Sequence, residues 1–205
     1  WRYRACHTRP NLMAEAQLAA IRAIFVAWLL WAAMWAVMSL GTKRVVRRES
    51  RVSRALHLVP LVVAAILLAL PDRACGLLGW PILPRGAWMV FAGAALVLAG
   101  LGLAVWARLV LAGNWSGTVT LKASHELICR GPYALARHPI YTGLLTALLG
   151  TAIAIDAWRG LLAFVIVAVS FWRKMGTEEA FMAAAFGAAY EAYRKQTAAL
   201  IPWIL

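Results

Sequence analysis

The sequence predicts an all-α integral membrane protein with about five transmembrane helices and a C-terminal amphipathic helix. Three observations carry that expectation. The 205 residues are 63% hydrophobic, with a mean hydropathy of +0.74, too apolar for an ordinary soluble domain. Long uncharged runs recur, and a helix needs roughly 20 apolar residues to cross a bilayer. The runs are continuous rather than alternating, so they read as helices and not as the strands of a closed barrel.

Charge and cysteine usage narrow the class. The 21 Lys and Arg outweigh 8 Asp and Glu, for a net charge of +13. The basic residues cluster in loops beside apolar runs, which points to topology and to anionic lipid. No nucleic-acid-binding pattern accompanies them, so no nucleic acid partner is expected. Cys6, Cys75 and Cys129 form no CxxC pair. Cys129, His125 and His138 match no standard zinc spacing, and no metal site is expected.

Along the chain, residues 1–16 read as a polar tail that begins at Trp1, with no cleavable signal peptide evident. Residues 17–112 hold spans one to three. The first runs from Gln17 to Leu40, and its Trp28, Trp31 and Trp35 form a stripe suited to packing or lipid. Gly41 ends it. Lys43, Arg44, Arg47, Arg48, Arg51 and Arg54, opposed by Glu49, make the densest basic loop, assigned to the cytoplasm. The second span, Leu56 to Leu70, is short and limited by Pro60 and Pro71. A Gly/Pro-rich connection with Trp80 follows at the outer interface. The third span is Ala87 to Leu111. Gly93, Gly100 and Gly102 give it a surface for close packing, and Arg108 is placed to snorkel.

Residues 113–205 hold the remainder. The stretch 113–138 is the longest polar segment, and loops of that length are usually functional. Within it, Val119 to Leu121 reads as a short extended piece. The sequon at Asn114 falls on the cytoplasmic side, where it would not be used. Span four is Pro139 to Ile155, with Gly143, Ala147, Gly150 and Ala154 on one face. A tight connection, Asp156 to Arg159, makes span five, Ala157 to Trp172, its antiparallel neighbour. The small face of span four is expected to bring that pair together. Arg173 and Lys174 close span five, and Met175 to Thr197 reads as the amphipathic helix. Ile201-Pro202-Trp203 suits a membrane-surface anchor.

The stretch Arg130 to Gly143 gathers the candidate chemistry. Gly131-Pro132 is turn chemistry. Pro139 suits the first turn of a helix, and His138 and Tyr141, three apart, can share a face. Free N–H groups at that helix start favour a carboxylate or phosphate. Arg, Tyr and Pro are also ordinary interface anchors, so the stretch acquires meaning from what topology places beside it. The end of span five comes to the same face, bringing Arg173, Lys174, Glu178 and Glu179. Such an inventory suits a zwitterionic nucleoside. Arg137 or His138 can take its carboxylate, Tyr133 and Tyr141 can contact a cation, and a Glu can accept from ribose hydroxyls or an ammonium.

The pattern Gly-Pro-Tyr-x-x-x-Arg-His-Pro-x-Tyr-x-Gly at 131–143, Glu178-Glu179, Phe-Gly-x-x-Tyr-x-x-Tyr at 186–193 and Ile201-Pro202 resembles the isoprenylcysteine carboxyl methyltransferase family. The phospholipid methyltransferases share its Arg-His-Pro and Glu-Glu elements. The resemblance covers about residues 100–205. It implies an integral membrane enzyme using S-adenosylmethionine, with 113–205 as the cofactor-binding catalytic region. By position, His125, Glu126, Leu127, Ile128, Gly131 and Pro132 would line the cofactor largely through backbone groups. Tyr133, Arg137, His138, Pro139 and Tyr141 would contact it, with Glu178 and Glu179 as its carboxylates. Arg173 or Lys174 would orient the methyl acceptor. An upstream Gln or Lys of the family is replaced by Thr118 or Lys122.

The implied reaction is methyl transfer to a lipid-like or isoprenoid acceptor, with a carboxylate favoured because it needs no general base. A sterol-reductase-like NADPH enzyme and a non-enzymatic scaffold are the rival expectations. The composition suggests a prokaryotic inner membrane, with the site facing the cytoplasm.

Overall fold

The computed structural model describes residues 12–40, 45–48, 50–82, 86–112, 120–122 and 127–202. Cys6, Gly41, Lys43, Arg44, Glu49, the Asn114 sequon, Thr118, His125, Glu126 and Trp203 lie outside the described residues. Five apolar helices dominate: α1 (Leu12–Ser39), α2 (Arg51–Ala69), α3 (Ala87–Leu111), α4 (Pro139–Ile155) and α5 (Trp158–Phe186). A short polar helix, α6 (Ala188–Gln196), follows. By length and composition α1, α2, α3 and α5 can each cross a membrane, while α4 has 17 residues. At 1.5 Å per residue α4 reaches roughly 25 Å, the lower end of what a bilayer core requires. The chain is a helical integral membrane protein.

Several boundaries differ from expectation. Helix α1 starts at Leu12, inside the expected polar tail, with Glu15 in its favourable first turn. Helix α2 starts at Arg51 because Ser50 caps it, its side chain accepting from the Ser53 N–H at 3.1 Å. Pro60 lies inside α2 and does not end it. The expected fifth span and half of the amphipathic helix are one element, since α5 continues through Arg173 and Lys174 to Phe186. Nothing between them breaks a helix; Gly176 alone costs about 1 kcal/mol. The break comes at Gly187, whose φ of +52° suits glycine. One small ribbon accompanies the helices, and its second strand overlaps the extended piece expected at Val119 to Leu121. Strand β1 (Val45–Arg48) pairs antiparallel with β2 (Thr120–Lys122), with Arg48 opposite Thr120.

The centre of the bundle is the antiparallel pair α3–α4. A Cβ added at Gly100 would lie 2.4 Å from the Gly143 carbonyl oxygen, and one at Gly143 would lie 2.5 Å from that of Gly100. Gly93 and Gly150 repeat the arrangement two turns away, at 2.5 and 2.6 Å. The small face of α4 therefore meets α3, not α5 as expected, and Gly102 has nothing within 4 Å. Helix α1 packs on α3, α5 on α4, and α2 on α5.

Buried cations tie both ends of the bundle. Arg108 is only 2% exposed, so it does not snorkel. It donates to the carbonyls of Met38 (2.6 Å) and Ala112 (2.7 Å), where α1 and α3 end. A cation there complements both helix dipoles. At the other end Arg159 donates to the Leu67 and Leu68 carbonyls, each at 2.9 Å, and pairs with Asp72 at 2.9 Å.

Candidate active site

Four segments converge where α3 ends and α4 begins. The first is the turn at Gly131–Ala134, entered by Gly131 at φ +61°. Its Tyr133 is buried, and the Tyr133 carbonyl accepts from the Tyr193 hydroxyl of α6 at 2.7 Å. Burial pushes both phenols up. The charge of Glu178 adds to the effect at Tyr133, and Tyr193 reaches about 12. Ile128 packs with Tyr133, Ala107 and Ile140, which seats the turn on α3.

The second segment is the start of α4. His138 occupies the N-cap position and Pro139 begins the helix. This puts the His138 and Tyr141 rings in a stack, 5.6 Å apart and 17° from parallel. The third is α5, which supplies adjacent carboxylates. His138 bridges them: Nδ1 lies 3.6 Å from Glu178 Oε2, and Nε2 lies 3.2 Å from Glu179 Oε1. Burial opposes charge on this ring. Hydrogen bonds and charges from Glu178 and Glu179 outweigh it, so the His138 pKa is raised. An imidazolium with each N–H directed at a different carboxylate is the form this geometry selects. The Tyr141 hydroxyl donates to Glu178 Oε1 at 2.7 Å, and Arg137 Nε donates to Glu179 Oε1 at 2.8 Å. Lys174, one turn earlier on α5, lies 3.9 Å from Glu178 Oε1.

The fourth segment is a C-terminal strap that no motif announced. Ala136 and Ala198 pair in a parallel bridge. The N–H groups of Arg137 and His138 donate to the Ala198 and Ala199 carbonyls at 2.8 and 3.0 Å. Thr142 Oγ1 donates to the Leu200 carbonyl at 2.8 Å. The Arg137 guanidinium also reaches the carbonyls of Thr197 and Arg194. The strap thus binds the backbone of the Arg-His-Pro element.

Of the residues singled out from sequence, Tyr133, Arg137, His138, Pro139, Tyr141, Lys174, Glu178 and Glu179 come together here, with Gly131 and Pro132 beside them. Ile128 packs beside Ala107 of α3, and Leu127 precedes it in the chain. Arg173 turns elsewhere, donating to the Ser53 carbonyl at 2.7 Å. Sequence reasoning passed over the contribution of α2. His57 is buried against Lys174 and Ser170. The available signal was a histidine within an apolar span, where polar groups are costly.

Comparison with known proteins finds similar chains. The sequence model of the family described as Phospholipid methyltransferase matches residues 88–189, from α3 into α6. The protein-S-isoprenylcysteine O-methyltransferase of Schizosaccharomyces pombe is 38% identical over 81 residues, 39% of this chain and 34% of that protein. The probable protein-S-isoprenylcysteine O-methyltransferase of Oryza sativa subsp. indica is 27% identical over 145 residues, 69% of this chain and 76% of that protein. Among solved structures, the eukaryotic intramembrane Ras methyltransferase, isoprenylcysteine carboxyl methyltransferase, superposes with a TM-score of 0.56 at 25% identity. That match covers 72% of this chain and 52% of the other. The chain thus spans a third of the yeast relative and about half of the solved structure.

Fold and relatives together define a class, the helical membrane proteins that share the fold of the membrane methyltransferases. Within that class, the chain is similar to the isoprenylcysteine carboxyl methyltransferases, and its residues 88–189 match the Phospholipid methyltransferase model.

Proposed function

We propose that this protein transfers a methyl group from S-adenosylmethionine to a lipid-like acceptor, with a carboxylate as the receiving group. The observation that carries the reading is His138 bridging Glu178 and Glu179 beneath the Tyr141 ring. The donor set fits this cofactor. Arg137 and His138 supply cations, Glu178 and Glu179 supply acceptors, and Tyr133 and Tyr141 supply aromatic faces. When bound, S-adenosylmethionine supplies an activated methyl group on a sulfonium. In this reading Glu178 and Glu179 take its ammonium and ribose hydroxyls, and Arg137 and the start of α4 take its carboxylate. In this reading residues 127–132 line it. Lys174 offers the acceptor a charge from inside the bundle, and Arg173 secures α5 to α2. A carboxylate acceptor is already ionised, so these residues act by alignment and by excluding water.

The relatives named for isoprenylcysteine substrates support an isoprenoid-bearing acceptor. In this reading the site faces the cytoplasm, because the basic β1 strand follows α1 at the end of the bundle that holds the cationic cluster, and composition alone motivates a prokaryotic inner membrane. Binding of S-adenosylhomocysteine to the detergent-purified protein is the test, with NADPH as the comparison ligand. Binding of the first, weakened at least about tenfold in Glu178→Ala and in His138→Ala, is expected. Binding of NADPH alone would sink the proposal.

A further inference from the structure

Two turns into α2, His57 is 5% exposed and faces two equally buried groups of α5, Ser170 and Lys174, each 4% exposed. Its Nδ1 lies 3.2 Å from Ser170 Oγ, and its Nε2 lies 3.4 Å from Lys174 Nζ. Ser170 Oγ also donates to the His57 carbonyl at 3.4 Å. A hydroxyl has a single proton to give. With that proton on the carbonyl, Nδ1 must carry the hydrogen toward Ser170 Oγ, and Nε2 then presents its lone pair to Lys174. The Phe171 ring, 5.9 Å away and tilted 30°, limits rotation of the imidazole. Lys174 is held on its other sides by Glu178 Oε1 at 3.9 Å and by the Tyr141 ring at 5.8 Å. A lysine on a flexible four-carbon stem otherwise samples many positions.

We propose that His57 is a positioning residue. As a neutral imidazole, it accepts from Lys174 and fixes the ammonium on the membrane-interior side of Glu178, where the anionic group of a lipid acceptor would meet it. The inference rests on the methyltransferase reading and adds to it the device that sets the acceptor-facing charge.

Two substitutions separate the ends of the ring. His57→Asn puts an amide near the place of Nδ1, keeping the tie to Ser170 and losing the one to Lys174. His57→Gln puts an amide oxygen near the place of Nε2. Each is assayed for S-adenosylhomocysteine affinity and for methylation of N-acetyl-S-farnesylcysteine, an isoprenylcysteine free acid. His57→Asn is expected to raise the KM for the acid about tenfold or more, as for loss of one charge-assisted hydrogen bond. It should leave S-adenosylhomocysteine affinity unchanged. His57→Gln should stay within about threefold of the unaltered protein. Equal KM values in the two variants, both normal or both impaired, overturn the proposal. If His57→Asn does not purify, Ser170→Ala, which releases the imidazole to turn, replaces it with the same two outcomes.

If the unaltered protein binds S-adenosylhomocysteine but leaves this acid unmethylated, a thermal-stability cycle with Lys174→Met decides. Non-additive losses with His57→Asn support the contact, and additive losses overturn it. Failure of the unaltered protein to bind S-adenosylhomocysteine at all strikes the methyltransferase reading instead, and the same cycle still decides the His57–Lys174 contact.

Discussion

His138 is the side chain on which the cluster closes, and its charge gives a pH signature. Glu178 and Glu179 raise its folded pKa above the ordinary 6.5. A raised folded pKa contributes stability that is fully present below the unfolded value and is lost as pH rises through the folded value. The melting temperature of the unaltered protein should therefore exceed that of His138→Asn most at about pH 6, and the gap should shrink toward about pH 9. A gap that widens with pH would contradict the assignment. His138, Tyr141, Glu178 and Glu179 were legible because a local pattern names them and simple helix spacing groups them. His57 was not. Its neighbours lie 113 and 117 residues away on α5, and no short pattern encodes that pairing. Arg108 was misread for a related reason. A basic residue at a helix end usually reaches for water, but here carbonyls of two helices accept its protons.

Among the helices, the α3–α4 contact is the one on which the site depends most directly, because it sets where α4 begins. Gly100→Leu would drive a side chain into the Gly143 backbone, which a Cβ alone would already approach to 2.4 Å. The expected loss is about 3 kcal/mol or more, read as a lower melting temperature or a collapsed size-exclusion peak in detergent. Gly102→Ala, facing open space, should be neutral or should stabilise by up to about 1 kcal/mol. Equal damage from both would contradict the packing described. Composition marks Gly93, Gly100, Gly143 and Gly150 as contact residues, but a small-residue stripe does not name its partner. The short connection Asp156 to Arg159 suggested that the α4 stripe meets α5. Larger residues of α5 instead pack with Leu144, Leu145 and Leu148, leaving the glycine face for α3.

The molecule as a whole is closed at both ends by the chain itself. At the site end the strap at residues 197–200 covers the Arg-His-Pro backbone. Truncation after Gln196 removes its carbonyls from Arg137, His138 and Thr142. The truncated protein should still insert as a helical bundle and lose most S-adenosylhomocysteine affinity, at least about tenfold by equilibrium binding. Undiminished affinity would show that the strap has no part in the site. At the far end Arg159 holds the last carbonyls of α2 and the Asp72 carboxylate. Arg159→Met should destabilise the bundle by about 1–3 kcal/mol, while binding at the distant site persists in the folded fraction. Parallel loss of both would mean the two ends are not independent.

The sequence by itself determined the apolar spans, the start and end of α4, and the polar residues of the Arg-His-Pro and Glu-Glu elements. Each of these follows from hydropathy, from turn and cap chemistry, or from a pattern within one segment. Tertiary structure decided which helix meets the glycine stripe, that α2 sets His57 against Lys174, and that residues 197–200 fold back as a strap. Those outcomes depend on packing between segments far apart in the chain, where shape and unpaired backbone groups select the partner and local spacing carries no record of it.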